Sequence, residues 1–415
     1  MIIKSWGNLS NYKTRIFTGQ NRLITPLSIG NLRSYGDQAY SKNILIKSIY
    51  NRILYFDKKN GLIKCESGIT IKDLCEIIHP YGFILPVVPG SGLVTIGGAV
   101  SNDIHGKSHH LNGSFCNHVK KITVIYKGIK RECSLIKNQK LFKSFVGGMG
   151  LVGTILNITI KLQKSKNTNY LVESIPFFKL DDFFYLSEHS KNFSDSVAWI
   201  DCQHINFRGI FFRAKLVSYK NKHKKNFFKI RYPFSHSFSI INRFSVYIIS
   251  KIYFYFHFIN KKKIVSYSKF HHPLDSIYDW NNAYGSNGFY QFQCVIPKKH
   301  SLNGIREILD IIRDSGEGSF INVLKNFGPI KSFGYLSFPI EGTTLAIDFS
   351  NKKLSTTKLI KRLYDKVIKL EGKVYPAKDA LMTSFQFKKS YPHYKKFLKY
   401  RDFSITSSMS KRYNI

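Results

Sequence analysis

Residues 89–118 combine glycine and histidine at a density that suits close contact with a bound ligand. Glycine lets the backbone approach a ligand where a Cβ would collide, or lets it adopt a positive φ. Amide groups exposed in such a loop can donate hydrogen bonds to a pyrophosphate or to the edge of a ring. A turn-rich loop without a ligand is the alternative, and no 3.6-residue apolar period indicates a helix here. The stretch contains Gly90, Gly92, Gly97, Gly98, Gly106 and Gly113, with His105, His109, His110 and His118.

A second glycine motif, GMGLVG at 148–153, has the spacing of a Rossmann fingerprint but not its context. That fingerprint must follow a strand and open a helix, whose N-terminus then faces the pyrophosphate. Here residues 154–162 are β-branched and alternate in polarity, which predicts a strand. A nicotinamide-binding Rossmann site is therefore rejected.

The composition describes a folded chain of two domains. Its 415 residues suffice for two cores, and its 43% apolar content argues against general disorder. The six cysteines are scattered without a Cys-x-x-Cys pair, which favours a reducing compartment over a zinc site or a disulfide framework. The N-terminal residues lack the apolar core of a signal peptide, so we expect a cytoplasmic protein.

The net charge of +39, from 64 Lys and Arg against 25 Asp and Glu, has several explanations. Nucleic acid, an anionic membrane or a phosphorylated substrate would each attract such a chain. The basic residues are spread along the sequence and accompany no nucleic-acid-binding motif, so we expect no nucleic-acid partner. A general bias towards Lys, Asn, Ile, Phe and Tyr accounts for most of the charge.

Residues 238–259 are the stretch that comes nearest to a membrane span. Polar and basic residues interrupt them, so they fall short of the roughly 20 uninterrupted apolar residues that a spanning helix needs. An aromatic segment followed by three lysines suits a membrane interface, but a helix buried under a loop is equally compatible. The basic run at 220–229 suits a surface loop.

Hydrophobic periodicity places the regular elements around these motifs. Helices are predicted at 71–78, 302–315 and 356–370, the first capped by Thr70 with Asp73 three residues on. The strands predicted from alternation and β-branched residues are 44–46, 53–56, 121–126 and 343–349.

Several runs of residues, taken together, form a known pattern. They are Arg33-Ser34-Tyr35-Gly36-Asp37, Pro89-Gly90 with Thr95-x-Gly97-Gly98, Asp103-Ile104-His105-Gly106-Lys107-x-His109-His110, Tyr290-Gln291-Phe292-Gln293 and Ala377-Lys378-Asp379. This pattern resembles the FAD-linked oxidases of the vanillyl-alcohol oxidase type, and in particular those that oxidise a polyprenyl-phosphate-linked ribose. The resemblance extends from about residue 20 to 380.

The resemblance implies an α+β fold with two domains. An FAD-binding domain of two α/β subdomains is expected at 1–165, completed by 371–415, and a sheet-and-helix substrate domain at 166–370. The FAD contacts that the resemblance implies are Gly30, Arg33, Ser34, Tyr35, Gly36, Asp37, Pro89, Gly90, Ser91, Gly92, Thr95, Gly97, Gly98, Asn102, His105, Gly106, Asn117, Gly147, Gly150 and Val152.

This chain departs from the family pattern at two positions. Leu32 replaces the second glycine of the loop that precedes Arg33, which weakens the case for close phosphate approach there. Relatives with covalent flavin carry a histidine next to the serine of this loop, where this chain has Arg33. An arginine cannot form the flavin bond, so we expect non-covalent FAD.

The resemblance also implies the chemistry, in which FAD takes a hydride from a sugar carbinol carbon and leaves a ketone. Lys378 is the main catalytic candidate, because a desolvated lysine titrates towards neutrality and can contact the substrate hydroxyl. His105 and Lys107 are further catalytic candidates. Gln291 and Gln293 share one face of a strand, and with Lys325 they are expected to bind the sugar and its phosphate.

Three functions remain open at this point. The resemblance implies oxidation of the 2′-hydroxyl of decaprenylphosphoryl-β-D-ribose in the synthesis of cell-envelope arabinan, with a short-chain-type keto-reductase as partner. The enzyme would then contact the inner membrane surface as a peripheral protein. An oxidase of a soluble alditol or aldonolactone would have the same fold. A basic protein that binds nucleic acid or anionic lipid could keep a flavin fold without chemistry.

Overall fold

A computed structural model describes residues 1–17, 26–218, 230–232, 236–259 and 261–415. The predicted basic loop at 220–229 lies outside these described residues. The fold is α+β, as expected, because its sheets are mainly antiparallel and its helices pack on their faces. The strands are β1 (Ile2–Lys4), β2 (Asn11–Lys13), β3 (Arg15–Phe17), β4 (Leu27–Ile29), β5 (Asn43–Ile46), β6 (Ile53–Asp57), β7 (Leu62–Glu66), β8 (Phe83–Ile84), β9 (Val119–Tyr126), β10 (Ile129–Cys133), β11 (Thr154–Lys161), β12 (Gln163–Lys164), β13 (Asn169–Phe177), β14 (Asp195–Ile200), β15 (Gly209–Val217), β16 (Ile230–Arg231), β17 (Lys262–Ser266), β18 (Ile277–Tyr278), β19 (Phe289–Pro297), β20 (Asn322–Phe327), β21 (Gly342–Ser350) and β22 (Lys373–Val374).

Three sheets position the rest of the molecule. A parallel sheet has the order β3-β5-β4, and an antiparallel sheet has the order β10-β9-β11-β7-β6. The largest sheet is antiparallel and has the order β17-β13-β15-β14-β20-β21-β19-β22. The helices are α1 (Ile71–Ile78), α2 (Ile96–Ser101), α3 (His109–Asn112), α4 (Gln139–Phe145), α5 (Leu180–Glu188), α6 (Arg243–Ile259), α7 (Tyr267–His271), α8 (Ser301–Asp314), α9 (Leu354–Lys369), α10 (Ser384–Ser390), α11 (Tyr394–Leu398) and α12 (Ser408–Tyr413).

The elements predicted from local pattern are confirmed. Helix α1 begins after Thr70, whose hydroxyl accepts a hydrogen bond from the Asp73 amide at 3.1 Å. Helices α8 and α9 lie within two residues of the predicted bounds, and β5, β6, β9 and β21 lie at the predicted strands. The GMGLVG motif leads into β11, so its glycines serve a turn before a strand and not a Rossmann helix.

The glycine-rich stretch at 89–118 is less irregular than the sequence indicated. It contains α2 and α3, which have six and four residues and are too short to show an apolar period. Thr95 begins α2 by accepting a hydrogen bond from the Gly98 amide at 3.2 Å. The lack of an apolar period predicted no helix in this stretch, and that prediction is wrong. Helices this short are stabilised by capping and tertiary packing, which leave no periodic pattern in the sequence.

The face of the large sheet that is opposite the site is covered by α8 and α9. Helix α8 buries Ile305, Ile308, Leu309 and Ile312, whose spacing puts them on one side of the helix. Both helices contact β19, and α8 also contacts β21. This packing leaves the other face of β19, β20 and β21 to line a cavity.

All six cysteines are buried free thiols, as a reducing compartment would allow. Their scattered positions put no thiol beside another at disulfide distance. Among the described residues no group of His, Cys, Asp and Glu side chains could hold a metal ion.

Candidate active site

A cavity of about 540 Å³ lies between the loops at 27–39 and 89–105 and the open face of the large sheet. Residues 274–280 and the turn at 375–378 complete its wall. A cavity of this size is typical of a site for a cofactor or a small substrate. Most of the residues predicted from motifs meet here.

The two glycine-bearing loops cross at very short distance. A Cβ on Gly30 would lie 2.2 Å from Oγ1 of Thr95, so no larger residue fits at this crossing. The Asn31 side-chain amide donates to the Leu93 carbonyl oxygen at 3.0 Å and ties the loops together. The crossing fixes the position of one loop against the other.

The loops present hydrogen-bonding groups that no other part of the described chain satisfies. The backbone amides of residues 31–34 and of Gly90 and Ser91 donate to no described protein atom. Three buried side-chain atoms on the cavity wall also lack a partner within the described residues, and they are Arg33 Nε, Gln38 Oε1 and Ser67 Oγ. Because buried polar groups are normally paired, these atoms indicate a polar ligand in the cavity.

The sheet face contributes a polar wall whose members are brought together by strand register. Gln291 lies opposite Asp348, and Gln293 lies opposite Ala346, in the pairing of β19 with β21. Lys325 on β20 lies opposite Thr344 on the other side of β21. Side chains two residues apart share a face, so these strands direct their polar residues into one cavity.

Both ring nitrogens of His105 form hydrogen bonds with residues of this wall. Its Nε2 lies 3.0 Å from Gln293 Nε2, which also donates to the Thr344 hydroxyl at 3.3 Å. Its Nδ1 lies 2.9 Å from the amine of Lys325. The Thr344 hydroxyl donates to a backbone carbonyl, so the Gln293 amide nitrogen is the donor and His105 Nε2 is the acceptor.

This network assigns the protons of His105 and Lys325. With Nε2 accepting, the neutral imidazole carries its proton on Nδ1 and donates to Lys325. A neutral lysine amine can accept that bond and still donate to the Gly106 carbonyl, which lies 3.3 Å away. Burial and the neighbouring cations lower the pKa of Lys325 to about 7, so the neutral amine that this hydrogen bond needs is one of the two forms populated near neutral pH. Burial likewise lowers the pKa of His105, and the charge of Lys325 lowers it further whenever that amine is protonated.

Lys378 lies at the junction of the loops and the sheet. Its amine lies 3.5 Å from the centre of the Tyr35 ring, and the residue is partly exposed towards the cavity. Burial lowers the pKa of Lys378 to about 7, against the opposing attraction of the Asp348 carboxylate. A lysine in this state exists in both protonation forms near neutral pH, which suits proton transfer.

The loop that carries Lys378 packs against the loop that carries Tyr35. The Tyr35 amide donates to the Ala377 carbonyl at 3.0 Å. A Cβ on Gly36 would lie 1.8 Å from the Asp379 carbonyl oxygen, so only glycine allows this approach. Gly36 therefore acts by permitting contact between two loops.

Arg412 on α12 anchors the loop that carries Tyr35 and the loop that carries Lys378. Its guanidinium contacts the Asp37 carboxylate at 2.6 Å and the Asp379 carboxylate at 2.8 Å. Asp379 also accepts hydrogen bonds from the hydroxyls of Tyr364 and Tyr413. Helix α12 thus fixes the residues that follow Tyr35 and Lys378 in the two loops.

The structure divides the residues predicted from motifs into two groups. Those on the described cavity wall are Gly30, Arg33, Ser34, Tyr35, Pro89, Gly90, Ser91, Thr95, Gly97, Gly98, Asn102, His105, Gly150, Gln291, Gln293, Lys325 and Lys378. Those that do not line it are Gly36, Asp37, Gly92, Gly106, Lys107, Asn117, Gly147 and Val152.

Lys107 illustrates the second group. Its amine donates to the backbone carbonyls of Phe270 and His271, at 2.7 and 3.2 Å, and not into the cavity. Asn117 similarly binds the loop itself, because its side-chain oxygen accepts from the Ser114 amide at 2.8 Å. These residues support the loops that form the cavity wall.

The sequence reasoning missed several residues of the site, among which Asp348 has the clearest electrostatic role. Its buried carboxylate accepts a hydrogen bond from Gln291 at 2.5 Å and one from the Tyr284 hydroxyl at 3.3 Å. The available signal was a single acidic residue in the strand GTTLAIDFS. Asp275 was missed as well; it accepts from the Gly92 amide at 2.7 Å and joins the 274–280 wall to the glycine loop.

The comparisons with known proteins define the class. Residues 16–128 match a family described as "FAD binding domain". The D-lactate dehydrogenase of Anaerostipes hadrus is 28% identical over 139 residues, 32% of this chain and 29% of that protein. The L-gulonolactone oxidase of Scyliorhinus torazame is 29% identical over 144 residues, 34% of this chain and 32% of that protein. The chain is an FAD-dependent oxidoreductase that acts on CH–OH groups.

A further relative matches the chain over nearly its whole length. The decaprenylphosphoryl-β-D-ribose oxidase of Mycolicibacterium smegmatis is 31% identical over 405 residues, which cover 92% of this chain and 87% of that protein. This chain therefore belongs to the family of FAD-linked oxidases that includes decaprenylphosphoryl-β-D-ribose oxidase.

The cavity fits FAD by its chemistry. Six unpaired amides on crossing glycine loops suit a pyrophosphate, and the buried atoms Arg33 Nε, Gln38 Oε1 and Ser67 Oγ suit further polar groups of the cofactor. A Cβ on Gly90 would meet no protein atom within 4 Å, so this glycine leaves open space on the ligand side.

We predict that FAD is released when the protein is denatured in acid. Arg33 stands where covalent relatives carry a histidine, and His105 has both ring nitrogens bound by Lys325 and Gln293. The measurement is flavin absorbance in the supernatant after acid precipitation. Flavin that stays with the precipitated chain would contradict non-covalent binding.

Proposed function

We propose that this protein oxidises the 2′-hydroxyl of a polyprenyl-phosphate-linked ribose, decaprenylphosphoryl-β-D-ribose or a close analogue, to a ketone. The observation that carries the proposal is the convergence of Lys378, the His105–Lys325 pair, Gln291 and Gln293 on one cavity. The 31% identity over 92% of the chain supports the same substrate class. FAD, when bound, supplies the acceptor for the hydride from the carbinol carbon.

We assign the FAD to residues 1–165 together with 371–415, and the substrate to residues 166–370. The small parallel sheet and the five-stranded sheet draw their strands from the first range, which supports two α/β subdomains there. The large sheet draws all its strands from 169–350 except β22, which comes from the C-terminal region. The substrate side would then be the face of β19, β20 and β21.

Lys378 is proposed to remove the hydroxyl proton as hydride leaves the neighbouring carbon. Its lowered pKa provides the neutral amine that accepts this proton, and the protonated amine would offer a positive charge to a flavin held beside it. Tyr35 holds the amine by its ring face. His105 keeps Lys325 in place, and Lys107 and Asn117 support the loop behind His105.

Gln291, Gln293 and Lys325 are proposed to bind the sugar and its phosphate. A phosphate that reaches Lys325 favours the charged amine, because an opposite charge raises the pKa of a buried lysine. The Nδ1 of His105 would then be the acceptor and its proton would move to Nε2, which requires the Gln293 side chain to present its amide oxygen to Nε2 in place of its nitrogen. Substrate binding and a change of the His105 tautomer are coupled in this arrangement.

The proposed place of the protein follows from the substrate. A polyprenyl tail stays in the bilayer, so a peripheral position on the inner membrane surface is proposed for a cytoplasmic enzyme of cell-envelope arabinan synthesis. No helix among the described residues is long and apolar enough to cross a membrane. The ketone product needs a reductase, and a short-chain-type keto-reductase is the proposed partner.

Anaerobic mixing tests the function. The holoenzyme is mixed with polyprenyl-phosphoryl-ribose, and in parallel with free sugars, alditols and aldonolactones, while flavin absorbance is followed. Bleaching by the lipid-linked ribose alone is expected. Bleaching by a soluble alditol or aldonolactone instead would replace the proposal with the soluble-substrate alternative, and no bleaching at all would favour the binding protein without chemistry.

We predict that Asp348→Asn shifts the acidic limb of the pH–rate profile for flavin reduction to lower pH by about one unit. Burial raises the pKa of Asp348 to about 7, so its charge is only partly present near neutral pH. That charge raises the pKa of Lys378, and removing it favours the neutral amine. Asparagine keeps an oxygen for Gln291, so the site retains its hydrogen bond. The measurement is the single-turnover reduction rate against pH.

The control for this variant is Asp279→Asn, the same change at a carboxylate that lines the cavity. Asp279 has a φ of 56°, a conformation that asparagine tolerates. The acidic limb of the pH–rate profile of Asp279→Asn should stay at the pH of the wild type. If the acidic limb of the pH–rate profile did not shift in Asp348→Asn, Asp348 would not control the pKa of Lys378.

A further inference from the structure

Helix α6 has an apolar face that no described part of the chain covers. Its inner face, with Val246, Ser250, Phe254 and His257, is buried against β13 and β15. Its outer face repeats at intervals of three and four residues along the whole helix. The exposed side chains of this outer face are Phe244 (74%), Tyr247 (51%), Ile248 (39%), Ile252 (64%), Tyr255 (56%), Phe256 (55%) and Ile259 (77%).

The surroundings of the outer face are cationic. Lys251 lies within the apolar row, with its amine 4.3 Å from the centre of the Tyr247 ring. Arg243 begins the helix, and Lys261, Lys262 and Lys263 follow it. No aspartate or glutamate occurs between residues 238 and 274. Glu173 on β13, a strand that packs against α6, pairs with Lys262 at 3.2 Å and brings a carboxylate to this cluster.

We propose that the outer face of α6 binds an anionic lipid bilayer, with the helix lying flat in the interface. Aromatic and aliphatic side chains with basic neighbours suit the boundary between headgroups and acyl chains. The excess of positive charge complements an anionic bilayer. A second copy of the chain is the other candidate occupant, but pairing of two such faces would bring two Lys251 charges together with no carboxylate to balance them.

The position of α6 connects this surface with the cavity. Ile241, just before the helix, and Val246 in its first turns pack in one cluster with Tyr35 and Phe289. Trp6 and Trp280 pack against the same cluster and line the cavity. With the proposed function as its basis, this shared cluster places the α6 surface beside the cavity that would receive a lipid-linked substrate.

The test uses the FAD-loaded protein and sedimentation with vesicles that contain no substrate. One set holds phosphatidylglycerol in phosphatidylcholine, and the other holds phosphatidylcholine alone. The variant is Phe244→Ser/Ile252→Ser/Phe256→Ser, three exposed side chains of the outer face. The matched control is Ile49→Ser/Ile136→Ser/Phe385→Ser, which removes three apolar side chains exposed by 60%, 98% and 66% elsewhere.

We expect wild type and control to bind the anionic vesicles, with binding weakened by salt, and the α6 variant to bind on the order of tenfold more weakly. FAD content should be unchanged in all three proteins. Equal binding by variant and wild type would overturn the proposal. So would a wild-type dimer that the variant converts to a monomer in sedimentation velocity without a change in vesicle binding.

A second readout separates this proposal from the proposed function. Flavin reduction by polyprenyl-phosphoryl-ribose in detergent micelles should have the same rate in wild type and in the α6 variant. The same substrate in anionic vesicles should react more slowly with the variant alone. Reduction in neither medium would contradict the substrate and leave the vesicle-binding result standing.

Discussion

Lys378→Ala should bind FAD as the wild type does but reduce it with substrate about 10²–10⁴-fold more slowly. The amine is the titratable group over the Tyr35 ring and has a pKa near neutrality, so its loss removes the proton acceptor for the hydroxyl. The unpaired amides that suit the FAD pyrophosphate lie on other loops and are not touched by this change.

The measurement is stopped-flow flavin bleaching under anaerobic conditions, with FAD content determined by absorbance. Lys395→Ala, an exposed lysine on α11, is the matched control and should reduce its flavin at the wild-type rate. Lys378→Met separates the loss of the amine from the loss of side-chain volume, since methionine fills the space without an amine. Its flavin should be reduced as slowly as that of Lys378→Ala. A wild-type rate in either Lys378 variant would show that this lysine is not catalytic.

Arg412→Met should lower the free energy of unfolding by about 3–5 kcal/mol, the usual cost of leaving buried charges without a partner. Asp379 is buried, and Asp37 is mostly buried, and both lose their counter-charge in this variant. FAD should also bind more weakly, because the loops of Tyr35 and Lys378 lose their common anchor.

The pH dependence identifies the cause of this loss. Burial alone would raise the pKa of Asp379, but Arg412 and the hydrogen bonds from Tyr413 and backbone amides hold it below its usual value. A carboxylate with a lowered pKa stabilises the fold above the pKa of the unfolded chain, and this contribution is lost as pH falls through the folded value. The difference between wild type and variant should therefore be large at pH 7 and shrink in acid.

Urea unfolding at several pH values, followed by protein fluorescence, gives this comparison. Arg362→Met, an exposed arginine of α9, is the control and should change stability by no more than about 0.5 kcal/mol. A deficit in Arg412→Met that is constant from pH 7 down to acid would mean that packing of the side chain, and not its charge, anchors the loops.

Local sequence determined much of the framework. Thr70 and Asp73 defined the start of α1, and alternation after the GMGLVG motif excluded a Rossmann helix, because capping and periodicity act over a few neighbouring residues. The motif runs also indicated the family, and the cavity wall contains most of the residues that they named.

The orientation of α6 is a feature that local sequence patterns could not predict. Apolar residues occur almost all round this helix, so the sequence allowed both a buried helix and an interfacial one. Contact with β13 and β15 selects one face for burial and leaves the other exposed. The neighbours of a helix, and not its own composition, decide which face meets solvent.

The sequence by itself, through its motifs and the family resemblance that they carry, indicated an α+β fold, an FAD-dependent oxidoreductase and the candidate residues Lys378, His105, Gln291 and Gln293. Only the tertiary structure decided which groups act together. Strand register placed Asp348 opposite Gln291, and the path of the chain turned Lys107 away from the cavity towards the carbonyls of Phe270 and His271. The physical reason is that pKa and hydrogen bonding depend on burial and on partners far apart in sequence, which come together only when the sheet and the loops pack.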